Sequence, residues 1–272
     1  MGYPTPIIRY LKQNPGLIRD RRVLTLGKLY PSVRQVNDMP SLIPDLGSVS
    51  QENFSDKFLK GYLDASAVSV LDVDPYQGAD LITNLNKPVN LKQTGTFDTI
   101  LDFGTLEHLS NFSCALTNYF KLLEPNGSYF FLLPANNWLD HGFFQFSPTF
   151  FVDFCAQNSG LHAKDMFYVC GDYLLRFQDC DHYARRVLAN TSIPLFVGGV
   201  IEKRSSEISL DFLQSKYLDS YSSANKLGGN NKIPGAAQFP EEIKKKRVFR
   251  SLISKAPMIP TKTKLTLLKR FK

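Results

Sequence analysis

Several things are scarce in this chain of 272 residues, and each scarcity excludes a class. Cysteine occurs only at positions 114, 155, 170 and 180, with no CxxC pair. That rules out a disulfide scaffold and a thiolate zinc site, and leaves thiols in a reducing, cytoplasmic setting. Cys114 and Cys155 fall on the apolar faces of predicted helices, where a free thiol behaves as a small hydrophobe. The sequons at Asn53, Asn111 and Asn190 then carry no meaning. Histidine occurs four times, at 108, 141, 162 and 182, without an HxxxH spacing, so no metal is expected. No apolar run has membrane-spanning length. The N-terminus has no signal-peptide shape, and Pro6 spoils the myristoylation pattern of its Met-Gly start. No GxGxxG or GxGxG is present, which argues against a nicotinamide enzyme and against a diphosphate cradle for a nucleotide sugar.

What the chain does have is aromatic residues, with 21 Phe among them, enough to build a packed α/β core. Its charge is unevenly spread. The formal net is +7, but residues 241–272 hold eleven Lys or Arg against two Glu, a net of +9. The other 240 residues are therefore at −2, so the basic character belongs to the tail.

Residues 97–136 organise the rest. The apolar run 97–103 predicts a buried strand. Ser110 and Asn111 are suited to cap a helix whose greasy face comprises Phe112, Ala115, Leu116, Tyr119, Phe120 and Leu123. Pro125 and Gly127 are expected to stop that helix. A second strand follows over 128–133, ended by Pro134. Strand, helix and strand of this length form one βαβ unit with parallel strands.

The FDTILDFGTLEHL and LLEPNGSYFFLLPAN segments, with their Leu106-Glu107-His108 triplet and LLxPxG turn, resemble class I S-adenosylmethionine-dependent methyltransferases. The turn here is Glu-Pro-Asn-Gly where that family usually has Pro-Gly-Gly. The resemblance implies an α/β fold: a doubly wound, mostly parallel seven-stranded Rossmann-like sheet with its last strand antiparallel, plus a basic C-terminal extension. A methyltransferase-like domain is expected over 1–204, a Ser/Asn/Gly-rich linker over 205–239 and a basic tail over 240–272.

Along the chain, residues 5–18 predict a lead-in helix ended by Pro15 and Gly16. Residues 22–27 give the first strand, with Gly27 opening a loop. Residues 29–44 show no clear pattern, 52–63 read as helix and 68–73 as the second strand. Asp72 closes that strand, and a carboxylate there can accept both hydroxyls of a ribose. The alternative is that Asp72 or Asp74 caps the next turn. The stretch 78–86 is similar to the family's GADxxxDL segment, with Asn84 in place of an acid. Ser147 and Pro148 open another helix. Residues 164–171 and 195–203 read as two late strands, and 172–192 as a polar insert.

The resemblance implies S-adenosyl-L-methionine as cofactor, bound by Gly27, Lys28, Asp72, Val73, Asn84, Leu85, Asp102, Phe103, Gly104 and His108. Catalytic roles fall to His141 and His108 as candidate bases, and the aromatic loop contributes Trp138, Asp140, His141 and Phe144 to a substrate pocket. The expected activity is O- or N-methylation of a small-molecule or glycan acceptor. The alternative is a non-catalytic methyltransferase-like binding or scaffold protein that has lost its glycine loop. No nucleic acid is expected, because Asp102-Phe-Gly-Thr stands where an NPPY-type motif would follow the fourth strand. The basic tail reads as a solvated segment, with weak membrane-surface or protein contact as the alternative.

Overall fold

A computed structural model describes residues 2–31, 33–75, 78–89, 96–176, 193–205 and 207–213. The basic tail, Cys180, His182 and most of the expected linker lie outside the described residues. The elements are α1 (Thr5–Gln13), β1 (Arg22–Leu26), α2 (Val33–Leu42), α3 (Phe54–Asp56, continuing as π-helical turns over Lys57–Tyr62), β2 (Ala67–Asp72), β3 (Leu81–Ile82), β4 (Phe97–Asp102), α4 (Phe112–Leu122), β5 (Leu123–Asn136), α5 (Pro148–Ala156), β6 (Leu161–Cys170), β7 (Tyr173–Arg176) and β8 (Leu195–Lys203).

The eight strands make one sheet in the order β3-β2-β1-β4-β5-β8-β6-β7. Strands β1 to β5 pair in parallel. β8 enters between β5 and β6 and runs antiparallel to both. The parallel half follows from sequence: β4 and β5 are apolar on consecutive positions, as strands covered on both faces must be. Ile100, Tyr129, Phe131 and Leu133 pack on the face covered by α4 and α5. Leu101, Phe130 and Leu132 pack on the other, against Ile7, Ile8 and Leu11 of α1 and Phe54 and Phe58 around α3.

Caps behave as the local sequence dictates. The Asn111 side chain accepts from the Cys114 N–H at the start of α4, and Ser147 accepts from the Thr149 N–H at the start of α5. Three expectations need amending. α4 ends at Leu122, and β5 begins at once; Pro125 and Gly127 lie within β5, where residues 124–127 loop out opposite Asp98 and Asn126 takes φ of 63°. The sheet has an eighth strand, because Gly171, at φ of 58°, turns the chain so that β7 pairs back on β6. The unreadable stretch contains α2, which tolerates Pro40 near its end.

Residues 207–213 continue from β8 onto α5. Phe212 rests 5.3 Å from Phe150 and 5.6 Å from Phe154, and Asn158 pairs with Ser209 through both main-chain groups.

β8 is made to fit by two features. Gly198 and Gly199 leave no space for a side chain: an added Cβ would sit 2.4 Å from the Phe167 ring or 2.4 Å from the Met166 sulfur. At its end, Lys203 is buried and its Nζ donates to the carbonyls of Phe120 and Leu123, both at 2.6 Å. The ammonium thus satisfies orphan carbonyls at the C-terminus of α4, where the helix dipole favours positive charge. Lys203→Met should leave those carbonyls unsatisfied and lower unfolding stability by about 2 kcal/mol, read by urea denaturation.

Candidate functional site

In a parallel sheet, loops leaving the carboxyl ends of adjacent strands meet at one edge. Here β2, β1 and β4 are neighbours, so Asp72, Gly27 and the turn after Asp102 converge. Gly27 has φ of 70°, a conformation that favours glycine, and its N–H donates to the Leu71 carbonyl. A Cβ at Gly27 would lie 3.8 Å from both Asp72 Oδ2 and Thr105 Oγ1. A methyl group there would touch both, so the carboxylate and the hydroxyl flank the bare main chain of Gly27. Thr105 is fixed there because its hydroxyl donates to the Leu26 carbonyl at 2.9 Å. Asp72 is half-buried, and its Oδ1 accepts from the Val73 N–H.

The other expected cofactor residues are placed variously. Lys28 is half-buried and Val73 is exposed beside Asp72. Asn84 is exposed, and its side-chain oxygen accepts from the main-chain and side-chain amides of Asn86, a local turn. Leu85 is buried in the core on the α4 side. Gly104 follows β4 at φ of 105°. The side chains of Asp102 and Phe103 turn inward. Phe103 packs edge-on against Tyr3 and Phe130, 5.6 and 5.0 Å away. Asp102 is fully buried, accepting from the Tyr129 hydroxyl at 3.0 Å and from the Thr105 N–H at 2.8 Å. Its carboxylate therefore shapes the turn that carries Thr105. Only the main chain of these two residues is available at the edge.

Beyond that turn, Leu106–His108 forms one 3-10 turn. Glu107 points inward with no exposure, and neither carboxylate oxygen has a hydrogen-bond partner. The aromatic loop is clipped over it: the N–H groups of Phe143 and Phe144 donate to the Glu107 carbonyl at 2.8 and 3.2 Å. Gly142 lies so close that a Cβ there would meet Glu107 Cγ at 2.9 Å. This clamp brings His141 Nε2 to 3.6 Å and His108 Nε2 to 3.8 Å from Glu107 Oε1, with the two imidazoles 5.2 Å apart. Both expected catalytic histidines thus share one carboxyl neighbour, 0% exposed, while they remain 47% and 30% exposed for His108 and His141 respectively.

Trp138 braces the loop. Its indole N–H donates to the Leu195 carbonyl, and its ring lies 4.7 Å from both His141 and Phe196. Phe144 packs 5.0 Å from Phe112 and belongs to the core margin. Asp140 is exposed at φ of 65°. Leu139 and Phe143 project into solvent, 87% and 71% exposed.

Burial governs the electrostatics. Glu107 is pushed up to about 8, chiefly by desolvation and then by the nearby Asp102 charge. Desolvation lowers both histidines below their ordinary value. At neutral pH the imidazoles are therefore uncharged and able to accept a proton. Asp102 is pushed up to about 6 by burial, against the pull of its hydrogen bonds from Thr105 and Tyr129.

No protein-family profile and no curated protein sequence matches the chain. Solved structures with a similar course include the 1,6-didemethyltoxoflavin-N1-methyltransferase of Burkholderia thailandensis, 14% identical, with TM-score 0.42 over 73% of this chain and 76% of that one. An S-adenosylmethionine-dependent methyltransferase from Mesorhizobium loti is 13% identical, with TM-score 0.44 over 73% of this chain and 98% of that one. The branched-chain polyamine synthase of Thermus thermophilus is 14% identical, with TM-score 0.43 over 77% of this chain and 58% of that one. At these values the likeness adds nothing to the strand order. The fold is Rossmann-like, with the methyltransferase-type sheet that the sequence resemblance implies.

Glu107, Thr105 and Tyr129 are the site residues that motif reading passed over, although the LEH triplet contains the first of them. For Asp102, the folded-state value lies above the ordinary value of 3.8, so its stabilising effect is greatest in acid and is lost as pH rises to about 6. Asp102→Asn should keep the Tyr129 contact and gain on the native chain by up to about 3 kcal/mol between pH 4 and pH 7. Parallel denaturation series across that range measure the difference; a pH-independent gap would mean the carboxyl is not perturbed.

Proposed function

We propose that the chain is an S-adenosylmethionine-dependent methyltransferase acting on a small-molecule or glycan acceptor at oxygen or nitrogen. One observation carries this reading: Asp72 and Thr105 face each other across the side-chain-free Gly27, at the carboxyl ends of three adjacent parallel strands. An adenosine ribose calls for a carboxylate of this kind, and the glycine lets a bulky ligand approach the main chain. Asp72 would hold the ribose hydroxyls, and the main chain of Gly27 and Gly104 would border the rest. When bound, the cofactor supplies a methyl group already activated by the positive sulfur beside it.

The protein's own contribution is then positional. Transfer requires an acceptor atom held in line with the methyl group and shielded from water. The turn carrying Thr105 is fixed from below by Asp102 and Tyr129, so it offers a rigid border. On the acceptor side stands the loop braced by Trp138, with Leu139 and Phe143 exposed to meet an apolar or sugar face. His141, uncharged at neutral pH, is the group suited to receive the proton of a hydroxyl or amine acceptor.

The second reading, a binding module without catalysis, has its own support. Leu29 is buried in the core where a second loop glycine would stand open, and the Asn84 oxygen is engaged by Asn86. Calorimetry with S-adenosylhomocysteine separates the two. Binding is expected, and Asp72→Ala should weaken it by about tenfold or more, about 1.4 kcal/mol. Unchanged affinity in that variant rejects the ribose assignment, and no heat at millimolar ligand favours the binding module.

A further inference from the structure

The cluster beneath the aromatic loop is unusual in its chemistry. Glu107 is wholly buried, and both its oxygens lack a hydrogen-bond donor. His141 Nε2 is likewise buried and unpartnered. A buried polar atom left without a partner is costly, so such groups normally have a ligand, a water or an ion to meet. Here these groups gather with the half-exposed His108: one donor atom each from Glu107, His108 and His141 lies within 4.8 Å of the other two.

The separations fit an ion better than a hydrogen bond. At 3.6 and 3.8 Å, the carboxylate oxygen is too far from either imidazole nitrogen to bond it directly. Ligands about 2.1 Å from a shared ion stand roughly 3.0 Å apart in octahedral and roughly 3.4 Å apart in tetrahedral geometry. The two carboxylate–imidazole separations need to close by only a few tenths of an ångström to reach the tetrahedral value, and the two imidazoles offer donor atoms within 4.8 Å of each other. The framework also holds the ligands in place. The Phe143 and Phe144 amides clamp the loop on the Glu107 carbonyl, Gly142 allows the close approach, and the Trp138 ring packs at a tilt against His141.

We propose that Glu107, His108 and His141 form a binding site for a divalent first-row transition-metal ion. Two imidazoles and one carboxylate suit zinc, iron, cobalt or manganese better than magnesium, which prefers oxygen and water. Three protein ligands leave coordination positions open, and the partly exposed histidines leave those positions reachable from solvent; an ion held there occupies His141 Nε2, so a loaded site takes His141 out of the proton-accepting role. Spacing rules overlook the site because two ligands are adjacent in the chain and the third arrives from a distant loop.

The test needs no cofactor, so its failure is distinct from failure of the methyl-transfer reading. The full chain is stripped with a chelator and titrated with cobalt(II), followed by visible absorption, and with zinc(II), followed by calorimetry. One equivalent is expected to bind, with cobalt bands typical of mixed nitrogen and oxygen ligation. Glu107→Gln and His141→Gln should each weaken binding by about tenfold or more, about 1.4 kcal/mol. His108→Gln removes a ligand that is 47% exposed, so it tests the site without disturbing the core. His162→Gln, on β6 and outside the cluster, should leave affinity unchanged. Absence of cobalt bands at saturating metal overturns the proposal. So does unchanged affinity in His108→Gln and His141→Gln with circular dichroism showing both folded.

Discussion

Burial of β4 and β5 on both faces is the constraint from which the molecule follows. Neither strand can leave a face in water, because Ile100 and Leu101, then Tyr129, Phe130, Phe131 and Leu132, are all apolar or aromatic and fully buried. Helices must therefore cover both sides, and successive parallel strands must be joined by crossovers. Once that is so, every strand-to-helix loop emerges at the carboxyl edge. The site lies there because the sheet leaves irregular backbone room at that edge.

The edge itself is stiffened by buried polar groups. Asp102 is a strut between Tyr129 and the Thr105 amide, and Thr105 in turn ties β4 to β1 through the Leu26 carbonyl. Lys203 plays the matching part at the far end of α4, joining that helix to the last strand. These contacts each replace water with a specific partner, which is how a buried polar group gains geometry at little net cost. Glu107 differs in kind. It is buried as deeply, yet nothing within the described residues satisfies it, and two histidines crowd the same space. A group retained in that state is more readily understood as made for a ligand than as part of the frame.

Some departures from local rules lie at this same edge, although Asp20, Asp64 and Asn126 take positive φ away from it. The loop after β1 has one glycine where a glycine-rich ligand loop would have several, yet that one sits where a side chain would come between Asp72 and Thr105. Asn137 and Asp140 take positive φ angles within the aromatic loop, a conformation that Asn and Asp accept more readily than other side chains do. No helix among the described residues is long and apolar enough to cross a membrane.

Much of the fold could be read directly. Period and capping located β1, β2, β4, α4 and α5, because Asn111 and Ser147 act within a few residues and strand alternation is local. β7 and α2 escaped, since Tyr173–Arg176 becomes a strand only by pairing with β6, and Pro40 hides the helix that contains it. The end of α4 was misjudged for a similar reason: β5 starts at Leu123 because Phe97 is there to pair with it. In the site, Asp72 and Gly27 were legible as strand ends. The chain order alone could also name His108 and His141. It could not reveal that a carboxyl with no solvent exposure lies between them, or that Asp102 and Phe103 face inward. Those facts depend on which loop folds over which turn, and contacts between distant segments are decided by packing, not by any local pattern.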